Sequence, residues 1–341
     1  MRISTVVIII FKNIELALRD LFGLGLSPYK LLLELTDYCN SKCKTCHIWK
    51  TGESAKLQIN TGQLEPVLRE YGRHLLWVAL SGGETTLYPE CDKLVELLSL
   101  HCPNLRIVTF TTNALQPQKV LELAIKLKKA GFDLFVTISL DGDEKTHDHI
   151  RGVNGNFQLA QKCMQLLQQN KIWTHFGLTV SALNRDYILN GGEMAKTRAF
   201  SFEHSGGIYK TDSVISDMSP SIRKIKSDYK IRQLGEIVEY LYLVMAEKFF
   251  APGEKKLPVP CEVLATSLHI RPNGDITPCM YLPSIGNIKD TTIGKALATT
   301  EAQKLRNRAL TGDCHKCWMN CYAPHSIMRH PWISLKNLFS A

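Results

Sequence analysis

Short apolar runs and longer amphipathic segments alternate along the chain from residue 30 onward. The short runs predict strands at residues 30–36, 76–80, 105–111, 134–140, 173–180 and 199–204. Between them, apolar residues recur every three or four positions, which predicts helices at residues 62–71, 91–100, 117–130, 156–169 and 186–197. This alternation predicts an α/β fold with a parallel sheet and helices outside, and six units favour a partial (β/α)6 TIM-like barrel over a closed one of eight.

The segments outside this barrel differ from it in composition. We expect an N-terminal amphipathic segment at 1–29, the partial barrel at 30–208, a linker and helix at 209–255, a small cysteine-rich hairpin and helix extension at 256–325, and a tail at 326–341. Residues 210–220 are rich in Ser and Asp, and residues 233–250 carry apolar positions at helical spacing. The basic stretch between them is predicted to be a solvated connector, with an anion-binding face for an acidic peptide or phosphate as the alternative.

The N-terminal segment carries an apolar run at residues 6–11, too short to span a bilayer, which needs about 20 residues. No small-residue cleavage site follows, which argues against a signal peptide. Apolar residues from Ile14 to Phe22 predict an amphipathic surface helix. We expect this helix to pack against the main domain rather than to contact a membrane, because its polar face is only weakly basic.

Charge and cysteine usage narrow the possible functions. The chain has 341 residues and a net charge of +9, which favours anionic partners or simple solubility, and no interleaving of aromatic and basic residues indicates nucleic-acid binding. Eight of the eleven cysteines fall into three groups, whereas Cys91, Cys102 and Cys163 are scattered. Such grouping indicates metal binding rather than a disulfide framework, and metal thiolates imply a reducing, cytoplasmic setting.

The first cysteine group lies directly after the first predicted strand. Cys39, Cys43 and Cys46 have C-x3-C-x2-C spacing, and three thiolates can hold three irons of a [4Fe–4S] cluster while leaving the fourth iron without a protein ligand. A zinc site that uses His47 is one alternative. Unconnected core cysteines are another, but the intervening Lys and Ser residues are too polar for a core.

Polar and glycine residues follow the predicted strands, at the end of a barrel where function is located. Gly82, Gly83 and Glu84 follow the second strand; glycine lets backbone approach a ligand, and Glu84 adds an acceptor. Asn113 follows the third strand. Ser139 and Asp141 at the fourth lie two residues apart, on one face, where they suit ribose hydroxyls. Further polar positions are Ser181 and Asn184 after the fifth strand and residues 205–207 after the sixth.

In this order, the cysteine loop and the strand-end motifs resemble the radical S-adenosylmethionine enzymes over about residues 30–207. The resemblance implies that Cys39, Cys43 and Cys46 hold a [4Fe–4S] cluster whose open iron binds the cosubstrate. Thr45 departs from the family, where an aromatic residue commonly precedes the third cysteine. The matching positions imply that residues 82–84 bind the methionine amino group.

The same resemblance covers three further positions of the cosubstrate site. Asn113, Ser139 and Asp141 match positions that line the cosubstrate and its ribose. Arg151, in a segment His147-Asp148-x-x-Arg151-Gly152, matches a residue near the cosubstrate carboxylate. A salt bridge that orders the loop is the alternative for Arg151.

The C-terminal cysteines form a second group. Residues 267–278 predict a β-hairpin with an Asn273-Gly274 turn. The pattern C-x12-G-x4-C followed by C-x2-C resembles the SPASM/twitch extension, which implies one auxiliary [4Fe–4S] cluster held by Cys261, Cys279, Cys314 and Cys317. Cys321 is surplus or substitutes for one of them. A zinc ribbon is the alternative, because two pairs of cysteines also suit zinc.

Together the resemblances imply an enzyme that cleaves S-adenosylmethionine reductively and abstracts a hydrogen from a peptide, a protein or a small metabolite. The auxiliary cluster is expected to accept an electron, and an external electron donor is required. No separate domain for a leader peptide is expected to assist substrate binding. The alternative from another class is a non-catalytic zinc-binding or interaction protein that uses the same cysteines.

Overall fold

A single sheet organises the computed structural model, which describes residues 3–50, 57–192, 196–200, 217–231, 235–251, 253, 256–314 and 317–339. The strands are β1 (Lys30–Glu34), β2 (Trp77–Ser81), β3 (Ile107–Thr112), β4 (Asp133–Ser139), β5 (Trp173–Val180), β6 (Lys196–Phe200), β7 (Ser267–Ile270), β8 (Asp275–Thr277) and β9 (Gly286–Asn287). Their order in the sheet is β6-β5-β4-β3-β2-β1-β7-β8-β9. Strands β1 to β6 pair in parallel with their sequence neighbours, which confirms the predicted partial barrel.

The helices of the described residues connect these strands and extend the chain beyond them. They are α1 (Ile3–Leu21), α2 (Thr61–Tyr71), α3 (Cys91–His101), α4 (Pro117–Lys129), α5 (Glu144–Arg151), α6 (Asn156–Gln169), α7 (Arg185–Leu189), α8 (Ser219–Asp228), α9 (Gly235–Phe250), α10 (Ile293–Leu297), α11 (Thr300–Thr311), α12 (Ala323–Arg329) and α13 (Pro331–Phe339). None of these helices is both long enough and apolar enough to pass through a bilayer.

The sheet has a dry face and a partly polar face. On β2 to β4, alternate residues such as Val78, Val108 and Val136 are fully buried and form a common core with apolar residues of α2, α3, α4 and α6. The intervening side chains point to the opposite face, since successive residues of a strand alternate. Those residues, which include Ser81, Thr111 and Thr137, are only half-buried. The concave face of the open barrel therefore mixes these polar residues with apolar ones such as Ala79 and Phe135, and it is partly accessible.

The C-terminal extension continues the same sheet. Strand β7 pairs in parallel with β1, and β8 folds back antiparallel to β7. The turn between them contains Gly274 at φ 90°, a conformation that glycine adopts without strain. The predicted hairpin is thus confirmed, and it lies against the first barrel strand, directly beside the strand that leads to Cys39.

Two helices differ from the sequence prediction. The predicted helix at 186–197 is wrong beyond α7, because the chain turns at Gly191, which has φ 79°, and residues 196–200 form β6. Helix α5 was not predicted; it begins at Asp143, whose side chain accepts a hydrogen bond from the Thr146 backbone N–H. Residues 201–216, which include the predicted end of the sixth strand and most of the linker, lie outside the described residues.

The basic stretch after the linker is a packed helix rather than a solvated connector. Ile222 and Ile225 of α8 are buried in a second apolar cluster with α9, α12 and the end of β5. Lys226 donates to Glu247 of α9 at 2.5 Å, and Lys224 pairs with Asp228 within α8. The stretch was expected to be solvated because of its charges, but its two isoleucines at helical spacing determine its place.

Candidate active site and cysteine groups

The cysteine loop after β1 is held by backbone contacts on one side. The Gly83 N–H donates to the Thr36 carbonyl at 2.6 Å, and the Glu84 N–H donates to the Tyr38 carbonyl at 2.8 Å. A Cβ on Gly82 would lie 2.4 Å from the Thr36 carbonyl oxygen, and one on Gly83 would lie 2.2 Å from that of Tyr38. Both glycines are therefore required for the close approach between the end of β2 and the start of the loop.

The end of α5 holds the other side of the loop. The backbone N–H groups of Lys42 and Lys44 donate to the carbonyls of Arg151 and Ile150, at 3.1 and 2.7 Å. Gly152 has φ 65°, and a Cβ there would lie 2.6 Å from the Lys42 carbonyl oxygen. The loop that carries Cys39, Cys43 and Cys46 is thus clamped between the ends of β2 and α5.

Arg151 connects this loop to the end of β4. Its Nε lies 2.7 Å from Asp141 Oδ2, and its Nη1 lies 3.7 Å from Cys43 Sγ. Arg151 and Asp141 are 6% and 1% exposed, so the ion pair is fully enclosed. The Ser41 hydroxyl lies 3.2 Å from the same sulfur and also contacts the Arg151 carbonyl. The salt bridge considered as an alternative for Arg151 is present, and it places a cation beside a cysteine of the loop.

Asp141 has further partners at the barrel end. Its Oδ1 accepts from the Thr179 N–H of β5 at 3.1 Å, and its own N–H donates to His147 Nδ1 at 3.1 Å. Its carbonyl accepts from Asn184 Nδ2 at 3.0 Å. Ser139, the last residue of β4, is buried two residues earlier. Asp141 lies just beyond β4 and binds protein groups from β5 and α5.

Glu84 and Asn113 join the second and third strand ends. The Glu84 carboxylate is 2% exposed and accepts from the Asn113 N–H at 2.7 Å, from Thr112 Oγ1 at 2.9 Å and from Thr86 Oγ1 at 2.7 Å. Burial outweighs these hydrogen bonds and raises the pKa of Glu84. The Asn113 amide donates to Asn40 Oδ1 at 2.8 Å and reaches Cys39 Sγ at 3.8 Å. The motifs predicted at successive strand ends therefore converge on the cysteine loop.

His147, which in the sequence is only one member of the segment at 147–152, is a buried residue of this site. It is fully enclosed, and burial together with the Arg151 charge lowers its pKa from 6.5 to about 4. A neutral imidazole can accept from the Asp141 N–H, which fixes the turn after β4. The adjacent Asp148 accepts from Gly155 and Phe157 N–H groups at the start of α6. Both residues of the motif thus order the backbone around Arg151.

Two histidines of the concave face were also missed. His175 Nε2 lies 3.1 Å from Thr137 Oγ1 on neighbouring strands β5 and β4. On β7, His269 Nε2 lies 3.3 Å from Glu34 Oε1 at the end of β1. Burial raises the pKa of Glu34, but the His269 hydrogen bond and the charges of His269 and Arg271 outweigh it and leave this pKa lowered. The available signal was a polar residue within an otherwise apolar strand: His175 in β5, His269 in β7 and Glu34 in β1.

The C-terminal thiols come together from separated segments. Burial raises the pKa of Cys317 far above its ordinary value, and the charges of Cys261, Cys279 and Cys314 raise it further because these thiols are its neighbours. Burial likewise raises the pKa of Cys261 to about 12 and that of Cys279. Cys279 is buried and the other three cysteines are half-buried. Four neighbouring thiols suit an iron–sulfur cluster as ligands, because metal binding deprotonates them.

Cys321 lies beside a different group. Its carbonyl accepts from Lys30 Nζ at 2.9 Å, and the same ammonium is 2.9 Å from His325 Nε2 and 4.7 Å from the centre of the Trp77 ring. Burial lowers the pKa of Lys30 to about 8, and the Cys321 charge opposes this shift. This group joins the start of β1 to α12 and so anchors the extension to the barrel.

Within the described parts of the chain, no three His, Cys, Asp or Glu side chains are arranged to hold a metal ion. The fit of both cysteine groups to clusters therefore rests on the chemistry of their donors. Thiolates are the ligands of [4Fe–4S] clusters, and the chain supplies three thiols in one loop and five in the extension, of which four are the predicted ligands.

Comparison with known families agrees with this division. Residues 33–190 match the radical SAM superfamily, and residues 261–318 match the SPASM iron–sulfur cluster-binding domain. The chain is 25% identical over 274 residues to AlbA of Bacillus subtilis, named as an antilisterial bacteriocin subtilosin biosynthesis protein, with 76% of this chain and 57% of AlbA covered. It is 32% identical over 143 residues to the mycofactocin maturase MftC of Mycobacterium tuberculosis, with 41% and 34% covered. The chain thus spans little more than half of AlbA and about a third of MftC.

Solved structures show the same fold. The structure of anSMEcpe with bound AdoMet and a Cp18Cys peptide superimposes with a TM-score of 0.58 at 17% identity, covering 92% of this chain and 98% of that one. Streptococcus suis SuiB bound to its precursor peptide SuiA gives a TM-score of 0.57 at 18% identity, covering 89% and 74%. The two matched domains imply [4Fe–4S] clusters. The chain therefore belongs to the radical SAM superfamily and carries a SPASM-type iron–sulfur cluster-binding domain.

Proposed function

We propose that the chain is a radical S-adenosylmethionine enzyme that oxidises a peptide or protein substrate. The observation that carries the proposal is the convergence of three sequence motifs on one loop. Residues 82–84, Asn113 and Arg151 all contact the segment at 36–46 that bears three thiols. Three thiolates leave one iron of a [4Fe–4S] cluster open for a cosubstrate.

In this proposal Cys39, Cys43 and Cys46 hold the cluster, and the surrounding strand ends bind S-adenosylmethionine. When bound, the two would supply a 5′-deoxyadenosyl radical that abstracts a hydrogen atom from the substrate. Carbonyls of Gly82 and Gly83 receive the methionine amino group.

The remaining predicted residues complete the cosubstrate site. Asn113, Ser139 and Asp141 would line the nucleoside, and Arg151 would bind near the methionine carboxylate. Because Arg151 is already paired with Asp141 at 2.7 Å, the two residues act as one unit, and a change in either also disturbs the position of Cys43.

The concave face of the barrel is the proposed substrate site. Its half-buried polar residues include Thr137, which contacts His175, and Glu34, which contacts His269. Such pairs can donate and accept hydrogen bonds to a polar peptide group while the barrel excludes bulk water from the reaction. Glu34 lies on β1 beside the extension strand β7, so a bound substrate would lie between the cysteine loop and the C-terminal thiols.

For the C-terminal group, we propose one auxiliary [4Fe–4S] cluster held by Cys261, Cys279, Cys314 and Cys317. With four protein thiolates, every iron of this cluster has a protein ligand and none is open to bind substrate. We therefore propose that the cluster accepts an electron from the substrate radical. An external electron donor must reduce the first cluster. A reducing cytoplasmic compartment suits the thiolate ligands of both clusters. A peptide substrate is proposed because AlbA is named for bacteriocin biosynthesis and SkfB for maturation of a sporulation killing factor, and because two structures of the same fold hold a bound peptide.

The first test is metal content and turnover of the protein purified and reconstituted without oxygen. We expect about eight irons and a similar amount of sulfide per chain, from two cubes. With dithionite and S-adenosylmethionine, the protein should release 5′-deoxyadenosine and methionine, as measured by chromatography.

Two results would contradict the proposal. Zinc without acid-labile sulfide would favour the alternative of a non-catalytic zinc protein. Iron and sulfide without any cleavage of S-adenosylmethionine under reducing conditions would separate cluster binding from the proposed activity.

A further inference from the structure

Helix α1 turns much of its polar side toward the protein. Ile9 and Leu16 are buried, and Arg329 of α12 binds the same side of the helix. The Arg329 guanidinium donates to the Asn13 carbonyl at 3.4 Å and to Asp20 Oδ2 at 2.5 Å. An ion pair and two apolar side chains therefore fix which side of α1 faces α12.

The opposite side of α1 is apolar and exposed. Six residues there are between 42% and 75% exposed, namely Val7, Ile10, Phe11, Ile14, Leu18 and Leu21. At 3.6 residues per turn they fall within an arc of about 100°. Glu15 and Arg19 lie beside this arc and not within it. We call these six residues the outer stripe.

Further large apolar residues just after α1 and on α13 are also exposed. Phe22 and Leu24, just after α1, are 67% and 57% exposed. Trp332 of α13 is 82% exposed, and α13 contacts α12 as α1 does. Soluble monomers usually scatter exposed apolar residues singly, whereas a continuous patch marks a surface that contacts protein or membrane.

The size of the outer stripe argues against a second copy of the chain as its partner. A helix of 19 residues is about 28 Å long and about 10 Å wide, which gives a face of about 300 Å². Stable interfaces bury about 800 Å² on each partner. A bilayer has no such requirement, because an interfacial helix needs only one apolar face and nearby cations.

Within α1, Lys12 and Arg19 pair with Glu15 at 2.9 and 3.9 Å. Attraction to an anionic surface therefore rests on the neighbouring Arg73 and on the net charge of the chain. The pKa of His74 is lowered mainly by burial and next by the charge of Arg73. The charges of Lys12 and Arg19 of α1 lower it further, because both residues lie near His74. Arg73 itself is exposed, and the whole chain carries a net charge of +9. Cations beside an apolar face are the arrangement by which peripheral helices bind anionic headgroups.

We propose that α1 is an interfacial membrane helix, which lays its outer stripe into the headgroup region of an anionic phospholipid bilayer. This binding site is separate from the cysteine loop and does not depend on the proposed reaction. The predicted packing of this helix against the main domain is present on the side that bears Ile9 and Leu16. The proposal departs from the sequence prediction only in giving the opposite side a membrane contact.

The test is flotation of the full-length protein with vesicles of phosphatidylcholine that contain about a quarter phosphatidylglycerol. We expect the wild-type protein to float with these vesicles and to bind pure phosphatidylcholine more weakly. The double variant Phe11→Ser/Leu18→Ser should lower the vesicle partition coefficient at least about tenfold. Its control is Leu100→Ser/Ile231→Ser, which removes residues of matched exposure (72% and 48%, against 65% and 49%) on other elements and should bind as the wild type does.

Three outcomes would overturn the proposal. The first is a wild-type protein that stays unbound to anionic vesicles, and the second is equal loss of binding in both double variants. The third is a wild-type dimer in sedimentation that Phe11→Ser/Leu18→Ser converts to a monomer, without vesicle binding, because the outer stripe would then be a subunit interface.

Discussion

The two cysteine groups of this chain are assembled in different ways. Cys39, Cys43 and Cys46 lie within eight residues of one loop, and strand ends and α5 clamp that loop through backbone hydrogen bonds. Cys261, Cys279, Cys314 and Cys317 are spread over 57 residues, and only packing of the extension brings them together. The first group is held in place by strand-end and helix-end residues that the sequence motifs identify, whereas the second depends on the fold of its whole domain.

Their surroundings also differ in chemistry. Arg151 and Ser41 reach the sulfur of Cys43, and the Asn113 amide reaches that of Cys39, so polar groups surround the loop. Burial is the largest influence on thiols of both groups, because it raises the pKa of Cys39 in the loop as well as that of Cys261, Cys279 and Cys317 in the extension. The difference lies in the polar side chains beside the loop sulfurs. This difference suggests that the loop is built for reaction with a ligand and the extension for a closed, fully coordinated group.

The largest effect is expected from removal of the loop thiols. The variant Cys39→Ala/Cys43→Ala/Cys46→Ala should lose 5′-deoxyadenosine formation down to background, because no open iron remains. It should keep about four of about eight irons, since the other cube has its own thiolates. Iron and sulfide analysis with chromatography of the nucleoside measures both. The matched control Cys91→Ala/Cys102→Ala/Cys163→Ala, outside both groups, should retain the cleavage activity; loss of all iron in the loop variant would mean that the two groups are not independent.

A smaller and more selective effect is expected from the extension. Cys279→Ala should lose up to half of the iron and all product formation, once a peptide substrate is known, while it retains some 5′-deoxyadenosine release. The reason is that cosubstrate cleavage needs only the loop cluster, whereas completion of the oxidation needs an electron acceptor. Product analysis by mass spectrometry decides this point. Normal product formation in Cys279→Ala would mean that the second cluster has only a structural role. In parallel, Cys321→Ala tests whether the Cys321 thiol replaces one of the four predicted cluster ligands.

The smallest effect concerns the scaffold behind the loop. His147 titrates near pH 4 in the folded protein and near 6.5 when unfolded, so the unfolded state binds more protons between these values. Its contribution to stability is complete above pH 6.5 and is lost as pH falls, by about 2 kcal/mol at pH 5. His147→Asn keeps an acceptor for the Asp141 N–H but cannot titrate. The free energy of unfolding in urea should therefore change less between pH 7.5 and pH 5 in the variant than in the wild type. An equal change in both proteins would mean that other groups cause the pH dependence.

Much of the fold could be predicted because its signals are local. The strand at 173–180 and the helix at 156–169 were predicted with the bounds that the structure has, since buried strands and amphipathic helices carry their periodicity in sequence. Helix α5 was missed because its eight residues are mostly polar and charged. The helix predicted at 186–197 ran too far because its apolar spacing concealed the turn at Gly191.

By itself, the sequence determined the order of the βα units, the spacing of the loop cysteines and which polar residues follow each strand. The tertiary structure alone decided what those residues contact. It pairs Arg151 with Asp141, commits the Glu84 carboxylate to Thr112 and Asn113, and joins β7 to β1. It also turns the apolar side of α1 outward. Periodicity reports which residues share a face, but the partner of each face depends on packing between segments far apart in the chain, and no local pattern encodes that packing.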